Sequence, residues 1–201
     1  MIAIIDYDAG NIKSVEKAIQ SLGEEVIVTR DADVLLQAEK VILPGVGAFG
    51  DAMDKIRSYG LEDVIHQIVE KGTPFLGICL GLQLMFEESD ETPGVKGLGL
   101  LSGKILRIPD AEDLKIPHMG WNSLHFEKET KLFAGIKEGA YVYFVHSFYL
   151  KAEDESIVAA STEYGTHIHA AVEKDNVFAC QFHPEKSSEV GLAILKNFIS
   201  L

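Results

Sequence analysis

The chain has 201 residues, of which 47% are hydrophobic and 24% are charged, as expected of a soluble protein with one globular core. Its 18 Lys and Arg residues against 31 Asp and Glu residues give a formal net charge of −13, which disfavours binding to nucleic acids or anionic lipids. The N-terminus lacks the basic start of a signal peptide, and no apolar run approaches the length of a membrane span. We expect a cytoplasmic protein with one domain over residues 1–201.

Short apolar runs alternate with amphipathic segments through the first 90 residues. Strands are predicted at 2–7, 25–29, 40–44 and 74–79, and helices are predicted at 12–22, 48–57 and 61–72. This βαβ rhythm predicts parallel strands with helices on both faces of the sheet.

Beyond residue 97 the pattern changes to strands joined by turns, at 98–108, 123–127, 140–150, 156–162, 169–174 and 177–183. An amphipathic helix follows at 187–201, with Ser187 or Ser188 as its N-cap. No linker rich in Pro, Ser or Gly divides the two halves. The sequence therefore predicts a flavodoxin-like α/β fold, in which a mostly parallel central sheet with helices on both faces carries an antiparallel extension in the C-terminal half.

The glycines at 45–50 match the GxGxxG pattern of dinucleotide-binding folds. Such folds place an acidic residue at the end of the next strand to hold a ribose, whereas here that strand ends in Gly77-Ile78-Cys79. The two cysteines, Cys79 and Cys180, match no zinc spacing. We expect no cofactor and no metal.

The segment FLGICLGLQ, residues 75–83, changes from a buried strand to a helix at Cys79. Gly77 and Gly81 flank the cysteine, and this G-x-C-x-G pattern is the thiol version of a nucleophile elbow. Free backbone N–H groups at the start of the helix, that of Leu80 above all, would favour both a thiolate and a developing oxyanion. The alternative is an inert core cysteine, which is our interpretation of Cys180 in the apolar run VFACQF.

A thiol nucleophile needs a base and a group that orients the base. Among seven histidines, His183 lies at the end of a strand in QFHPEKS, where Pro184 fixes a bend and Glu185 follows two residues later. Glu185 is predicted to hold the His183 imidazole in the required tautomer. Four further histidines are interpreted as surface or sheet residues, namely His66, His125, His167 and His169.

The motifs GICLGLQ, QFHPEKS and PGVGAFG together resemble those of a class I, triad-type glutamine amidotransferase, and the resemblance covers almost the whole chain. It implies that the Cys79 thiolate attacks the side-chain amide of glutamine. His183, oriented by Glu185, would protonate the departing ammonia, and water would then release glutamate from the thioester.

The same resemblance implies an oxyanion hole. Gly45, Val46 and Gly47 match the oxyanion strand, so the backbone of Val46 and Gly47 would join the N–H of Leu80 around the tetrahedral intermediate. From the residues alone, a plain turn between strand and helix explains the glycines equally well.

Substrate-binding residues also follow from the resemblance. Gly45, Gly47 and Gln83 would line the glutamine site, with Gln83 one helical turn after the cysteine. His146, Ser147 and Phe148 match the segment whose backbone holds the amino-acid end of glutamine, and Ser147 and Phe148 are the predicted contacts. Relatives often carry Tyr in place of Phe148, so a backbone contact would survive here while a hydroxyl contact would not.

The segments IDYDAGNIKSV, IPHMGWN and TEYG narrow the resemblance to glutaminases that form a heterodimer with a separate (β/α)8 synthase subunit. The implied contacts are Asn11, Met119, Trp121 and Lys186. Trp121 lies in a segment interpreted as a loop, and a buried anchor of that loop is the alternative role. The glycines of 44–47 further suggest a latch that withholds oxyanion donors until the partner binds its nucleotide.

Two other functions remain open from the residues alone. One is a cysteine hydrolase or chaperone-like protein that has the elbow but no ammonia partner. The other is an α/β binding module without catalysis, which would leave Gly77, Gly81, His183 and Glu185 as coincidences.

Overall fold

The computed structural model describes residues 1–201. Its helices are α1 (Ile12–Ser21), α2 (Ala32–Gln37), α3 (Phe49–Ser58), α4 (Leu61–Glu70), α5 (Leu80–Leu84) and α6 (Ser188–Ile199). Its strands are β1 (Ile2–Ile5), β2 (Val26–Thr29), β3 (Lys40–Leu43), β4 (Phe75–Ile78), β5 (Glu88–Ser89), β6 (Gly103–Arg107), β7 (His118–Ser123), β8 (His125–Phe126), β9 (Tyr141–His146), β10 (Phe148–Ala152), β11 (Val158–Glu163), β12 (His167–Lys174) and β13 (Val177–Cys180). No helix combines the length and the apolar character that crossing a bilayer requires.

The main sheet has the strand order β2-β1-β3-β4-β13-β12-β10-β6-β5. Its first five strands are parallel neighbours, and β12, β10 and β6 continue the sheet in antiparallel pairs. The predicted α/β fold with an antiparallel extension is therefore confirmed. The last strand of the chain, β13, lies directly beside β4.

Two hydrophobic clusters cover the two faces of the sheet. Successive residues of a strand point to opposite faces, and Ile5 and Leu43 belong to the cluster packed on α2 to α5, while Ile4 and Ile42 belong to the cluster packed on α1 and α6. The central parallel strands are buried on both faces. Because of this burial, the sequences of these strands are continuous apolar runs and do not alternate between apolar and polar residues.

The segment HMGWN, interpreted above as a loop, is a strand, and that interpretation was wrong. It forms β7, which pairs with β9 in a separate two-stranded antiparallel sheet. Its side chains alternate, with His118 buried and Met119 and Trp121 exposed. Gly120 and Asn122 are poor strand formers, so the pairing with β9 rather than local propensity forms this strand.

Helix α5 is short and has only five residues. The carbonyl oxygen of Leu84 accepts a hydrogen bond from the N–H of Leu98 at 2.8 Å, so the chain cannot continue its helical hydrogen bonds there. Helix α2 was not predicted. Asp31 caps it by accepting a hydrogen bond from the N–H of Val34 at 3.1 Å.

Candidate active site

Parallel pairing of β4 and β13 brings two chemically important segments to one edge of the sheet. Cys79 follows β4 and His183 lies shortly after β13, and the carboxyl ends of parallel neighbours lie at the same edge. The N–H of Cys79 donates to the carbonyl oxygen of Cys180 at 2.8 Å, which continues the pairing to the first residue beyond β4.

Cys79 lies at a sharp turn with φ 55° and ψ −107°, a conformation that non-glycine residues rarely adopt. The glycines at its sides allow the two arms of the turn to approach. A Cβ on Gly81 would lie 2.0 Å from the carbonyl oxygen of Leu43, and a Cβ on Gly77 would lie 2.8 Å from the backbone of Gly81. The nucleophile-elbow geometry expected from G-x-C-x-G is therefore present.

His183 and Glu185 form a buried pair beside this turn. His183 Nδ1 lies 2.8 Å from Glu185 Oε1, and neither side chain is exposed to solvent. The 3-10 turn Pro184–Lys186 aims the carboxylate back at the ring. Ser187 fixes this turn, since its hydroxyl donates to the carbonyl oxygen of His183 at 2.6 Å and accepts the N–H of Tyr143 at 2.9 Å.

The charge state of His183 follows from opposing effects. Burial lowers the pKa of His183, but its hydrogen bond to Glu185 and its interactions with the nearby Cys79 and Glu185 outweigh burial and raise the pKa to about 10. Nδ1 is committed to Glu185, so Nε2 is the atom that faces the cysteine. Nε2 has no hydrogen-bond partner of ordinary geometry. The site therefore favours an imidazolium at His183, close to the Cys79 sulfur.

The Cys79 sulfur lies among polar groups. Gln181, which is fully buried, donates from Nε2 to Sγ at 3.7 Å, and Val145 offers its carbonyl oxygen at 3.9 Å. Cys180 lies in the core with no exposure, and burial raises the pKa of its thiol. The two cysteines therefore differ in position, since Cys79 lines a pocket and Cys180 packs in the core.

Asn11 was predicted as a partner contact, but the structure places it inside the chain. It is 4% exposed, and its Nδ2 atom donates to Glu185 Oε1 at 3.2 Å. Glu185 Oε1 therefore accepts from both His183 and Asn11. In this chain Asn11 contacts the carboxylate of Glu185 and presents almost no exposed surface.

The segment of Gly45, Val46 and Gly47 lies against the elbow. The carbonyl oxygen of Gly45 accepts the N–H of Leu80 at 3.3 Å, so the donor expected to be free is engaged here. A Cβ on Gly45 would clash with Leu80 and Tyr7. Gly47 has φ 103° with open space around it, a backbone state natural only to glycine.

A pocket of about 350 Å³ opens over Cys79, within the size range of small-molecule sites. It brings together most of the predicted oxyanion and substrate residues, namely Val46, Gly47, Leu80, Gln83, Ser147 and Phe148. Gln83 Nε2 donates to the carbonyl oxygen of Phe148 at 3.0 Å and to Gln181 Oε1 at 3.1 Å. Its Oε1 atom makes no hydrogen bond within the chain and remains available to a ligand.

Glu91 also lines this pocket, although sequence reasoning missed it. Its Oε2 atom accepts the N–H of Phe49 at 2.8 Å, at the start of α3. Its carboxylate is the one acidic group in the lining of this pocket. Neither Glu91 nor Gln181 belongs to a local pattern of spacing, and the only available signal was that Gln181 lies two residues before His183.

The remaining predicted partner contacts lie at the surface. Met119 is 62% and Trp121 51% exposed, which favours an interface over the buried anchor for Trp121. Lys186 is exposed and makes no salt bridge. No group of three or more His, Cys, Asp and Glu side chains is arranged to hold a metal ion.

The family model described as "Glutamine amidotransferase class-I" matches residues 3–201. A protein of Methanocaldococcus jannaschii described as "Imidazole glycerol phosphate synthase subunit HisH" is 50% identical over 201 residues, which cover 100% of both chains. A Geobacter metallireducens protein with the same description is 51% identical, covering 98% of this chain and 96% of its own.

A solved structure described as "Crystal structure of glutamine amidotransferase" superimposes with a TM-score of 0.78. The match covers 100% of this chain and 98% of the other, at 22% sequence identity. At that identity the likeness concerns the fold, which agrees with the sheet described above.

The close approach at Gly81 predicts that Gly81→Ala destabilises the chain. A Cβ 2.0 Å from backbone cannot be accommodated by moving a side chain, so we expect a loss of about 3 kcal/mol in unfolding free energy, measured by urea denaturation. Gly72→Ala is the control, because its φ of 83° and open surroundings cost only backbone strain of about 1 kcal/mol. Equal losses in the two variants would contradict the packing argument.

The buried pair predicts the titration of His183. Nitrogen-15 NMR should show its imidazole protonated through neutral pH, with a lower midpoint in Glu185→Gln because the neighbouring charge is lost. A raised pKa in the folded chain stabilises it fully below the unfolded pKa of about 6.5, and this stabilisation disappears as pH rises through the folded pKa near 10. The stability difference between wild type and Glu185→Gln should therefore shrink as pH rises towards 10.

Glu138→Gln is the matched control for this titration. Glu138 pairs with the exposed His125 at 2.7 Å, so its loss should leave His183 unchanged. A His183 midpoint near that of free histidine in the wild type would contradict the ion-pair assignment.

Proposed function

The chain belongs to the class I glutamine amidotransferases, and from this premise we propose that it is the glutaminase subunit of imidazole glycerol phosphate synthase in histidine biosynthesis. The observation that carries the proposal is the constellation of Cys79, His183 and Glu185 at one sheet edge, beneath a pocket. Two relatives described as that subunit are 50% and 51% identical to this chain over nearly its whole length, and this similarity supports the choice of pathway.

In the first half of the reaction, the Cys79 thiolate attacks the amide carbon of the glutamine side chain. The carbon–nitrogen bond then breaks as the tetrahedral intermediate collapses to a thioester. His183, held protonated on both nitrogens, donates its Nε2 proton to the departing ammonia. Glu185 keeps the ring in place and stabilises its positive charge before that transfer.

In the second half, water replaces ammonia in the site. Neutral His183 takes a proton from water through Nε2 while the oxygen attacks the thioester carbon. The carbon–sulfur bond breaks, which releases glutamate and regenerates the thiolate beside the imidazolium. The net reaction converts glutamine and water to glutamate and ammonia without a cofactor.

Glutamine is bound through both of its ends in this proposal. The side-chain amide points to Cys79, and the amino-acid end lies along Ser147 and Phe148. The ammonium group of the substrate is proposed to bind the carboxylate of Glu91 and the free Oε1 atom of Gln83, which line the same pocket. Phe148 contributes backbone contacts, so its lack of a tyrosine hydroxyl leaves this binding intact.

The oxyanion hole needs a rearrangement before it can work. The N–H of Leu80 donates to Gly45 in the state described here, while the glycine backbone at Gly47 permits other conformations. Release of the Leu80 N–H would supply a donor to the tetrahedral intermediate. This arrangement supports a latch at Gly45 to Gly47 that opens when the synthase subunit holds its nucleotide.

The ammonia must reach its acceptor without protonation by solvent, so the glutaminase is proposed to dock on a (β/α)8 synthase subunit as a heterodimer. That subunit uses the ammonia to convert the phosphorylated ribulosyl-aminoimidazole-carboxamide nucleotide PRFAR to imidazole glycerol phosphate and AICAR. We place the reaction in the cytoplasm, where a catalytic thiol stays reduced.

The docking surface is proposed to be the outward face of β7 and β9. Met119, Trp121 and Tyr141 are all more than half exposed and lie on this face, as the register of the two strands requires. Val145 of the same face lines the pocket, so the docking surface adjoins the active site. Exposed aromatic and Met side chains next to one another are typical of interface cores.

Cys79→Ala tests the glutaminase assignment directly. With the partner subunit and nucleotide, glutamine-dependent synthesis should fall by roughly 10⁴-fold or more, because the nucleophile is lost. Synthesis from added ammonia should persist, since the nucleotide chemistry belongs to the partner. Cys180→Ala is the matched control and should retain glutamine use; a Cys79→Ala protein that retained it would overturn the mechanism.

The latch predicts low activity of the subunit alone. Glutamate release should rise by roughly 5–150-fold when the partner and its nucleotide are added, the range of ordinary allosteric coupling. A coupled glutamate assay measures this ratio. Equal rates with and without the liganded partner would show that the oxyanion donors need no rearrangement.

Trp121→Ala tests the docking surface. If Trp121 is an anchor, its loss should weaken subunit affinity by about 2 kcal/mol or more, roughly 30-fold, in calorimetric titration. Leu201→Ala, which truncates an exposed apolar residue outside this surface, should leave affinity unchanged. Unaltered affinity in Trp121→Ala would remove this residue from the interface.

A further inference from the structure

Two buried histidines outside the triad are paired with each other. His118 and His146 lie opposite one another on β7 and β9, and His118 Nδ1 is 3.0 Å from His146 Nε2. They are only 3% and 6% exposed. The His118 ring is stacked between Tyr164 and Phe144, with ring centroids 3.9 Å and 4.7 Å away.

The protons on this pair are determined by its neighbours. Burial lowers the pKa of His118 to about 4 and that of His146 to about 3, so both rings are neutral at physiological pH. His146 Nδ1 lies 2.8 Å from the carbonyl oxygen of Phe148, which can only accept, so Nδ1 carries the proton. Nε2 of His146 must then accept, which places the proton of His118 on Nδ1.

The chain of hydrogen bonds starts at Asn122. Its Oδ1 atom accepts the N–H of Ser123 at 2.9 Å, which identifies Nδ2 as the donor on the other side of the amide. Nδ2 lies 3.4 Å from His118 Nε2, the acceptor nitrogen of that ring. The hydrogen bonds therefore run in one direction, from Asn122 through His118 and His146 to the carbonyl oxygen of Phe148.

That carbonyl oxygen belongs to the substrate site. It also accepts a hydrogen bond from Gln83 Nε2 at 3.0 Å, and Gln83 and Phe148 both line the pocket over Cys79. A carbonyl oxygen with two lone pairs and two buried donors is held at one place. Its position sets the position of the adjoining Ser147–Phe148 backbone.

We propose that His118 and His146 are positioning residues that hold the Ser147–Phe148 segment and Gln83 in the arrangement that binds the amino-acid end of glutamine. This inference rests on the proposed function, because it assigns that substrate to the pocket. His118 does not line the pocket and acts only through His146. Its loss should therefore weaken substrate binding and leave the chemical step at Cys79 intact.

A pair of variants at His118 separates the hydrogen bond from the stacking. His118→Phe keeps a ring between Tyr164 and Phe144 but removes the proton donated to His146. His118→Asn loses the ring but puts an amide N–H near the position of Nδ1. In glutamate-release assays of the complex, His118→Phe should raise the KM for glutamine about tenfold, the equivalent of one buried hydrogen bond, with kcat within about twofold.

His118→Asn should have a KM for glutamine close to that of the wild type. The exposed His125, mutated to Phe, is the matched control and should leave both constants unchanged. An unchanged KM in His118→Phe, or an equal defect in His118→Asn, would overturn the inference.

A second measurement needs no variant and no turnover. Nitrogen-15 NMR of the full chain should show both rings as neutral Nδ1–H tautomers at pH 7, and a proton on Nε2 of either ring would overturn the chain of hydrogen bonds. Glutamine hydrolysis by the wild-type complex tests the proposed function, whereas the tautomers and the KM ratio test the positioning. The two failures are therefore distinguishable.

Discussion

The pairing of β13 with β4 is the constraint on which the rest of the site depends. Residues 79–176, nearly half of the chain, separate these strands in sequence, yet they are parallel neighbours in the centre of the sheet. Their carboxyl ends lead to Cys79 and His183, so the sheet itself brings the proposed nucleophile and the proposed base together. The loops around them then adjust details, such as the turn that aims Glu185 at the ring.

The arrangement buries the charged groups of His183 and Glu185, which costs free energy but also favours the proposed chemistry. His183 and Glu185 are excluded from water, and charges removed from water are stable only when they are paired. Glu185 Oε1 contacts both His183 Nδ1 and Asn11 Nδ2, and these two contacts supply part of that pairing. Polar atoms without hydrogen bonds remain at Asn11 Oδ1, His183 Nε2 and Glu185 Oε2. Such atoms are rare in native cores and concentrate where a reaction uses them.

The sequence predicted the fold, and it also suggested the proposed chemical centre, because both depend on local sequence patterns. Buried parallel strands appear as apolar runs, and the elbow at Cys79 needs glycine at fixed spacing. Strand β7 escaped prediction because Gly120 and Asn122 hide its alternation. The bond from Asn11 to Glu185 and the engagement of the Leu80 N–H by Gly45 join residues far apart in sequence, so only the assembled fold reveals them.

The central claim is that the Cys79 sulfur reacts with the help of His183. The most direct test treats the chain, bound to its synthase partner, with a glutamine analogue that carries an electrophilic carbon in place of the amide. Mass spectrometry of the digested protein should then find the label on Cys79, reduced by excess glutamine and slowed in His183→Ala. Label on Cys180, or labelling of Cys79 at the same rate without the His183 imidazole, would contradict the account.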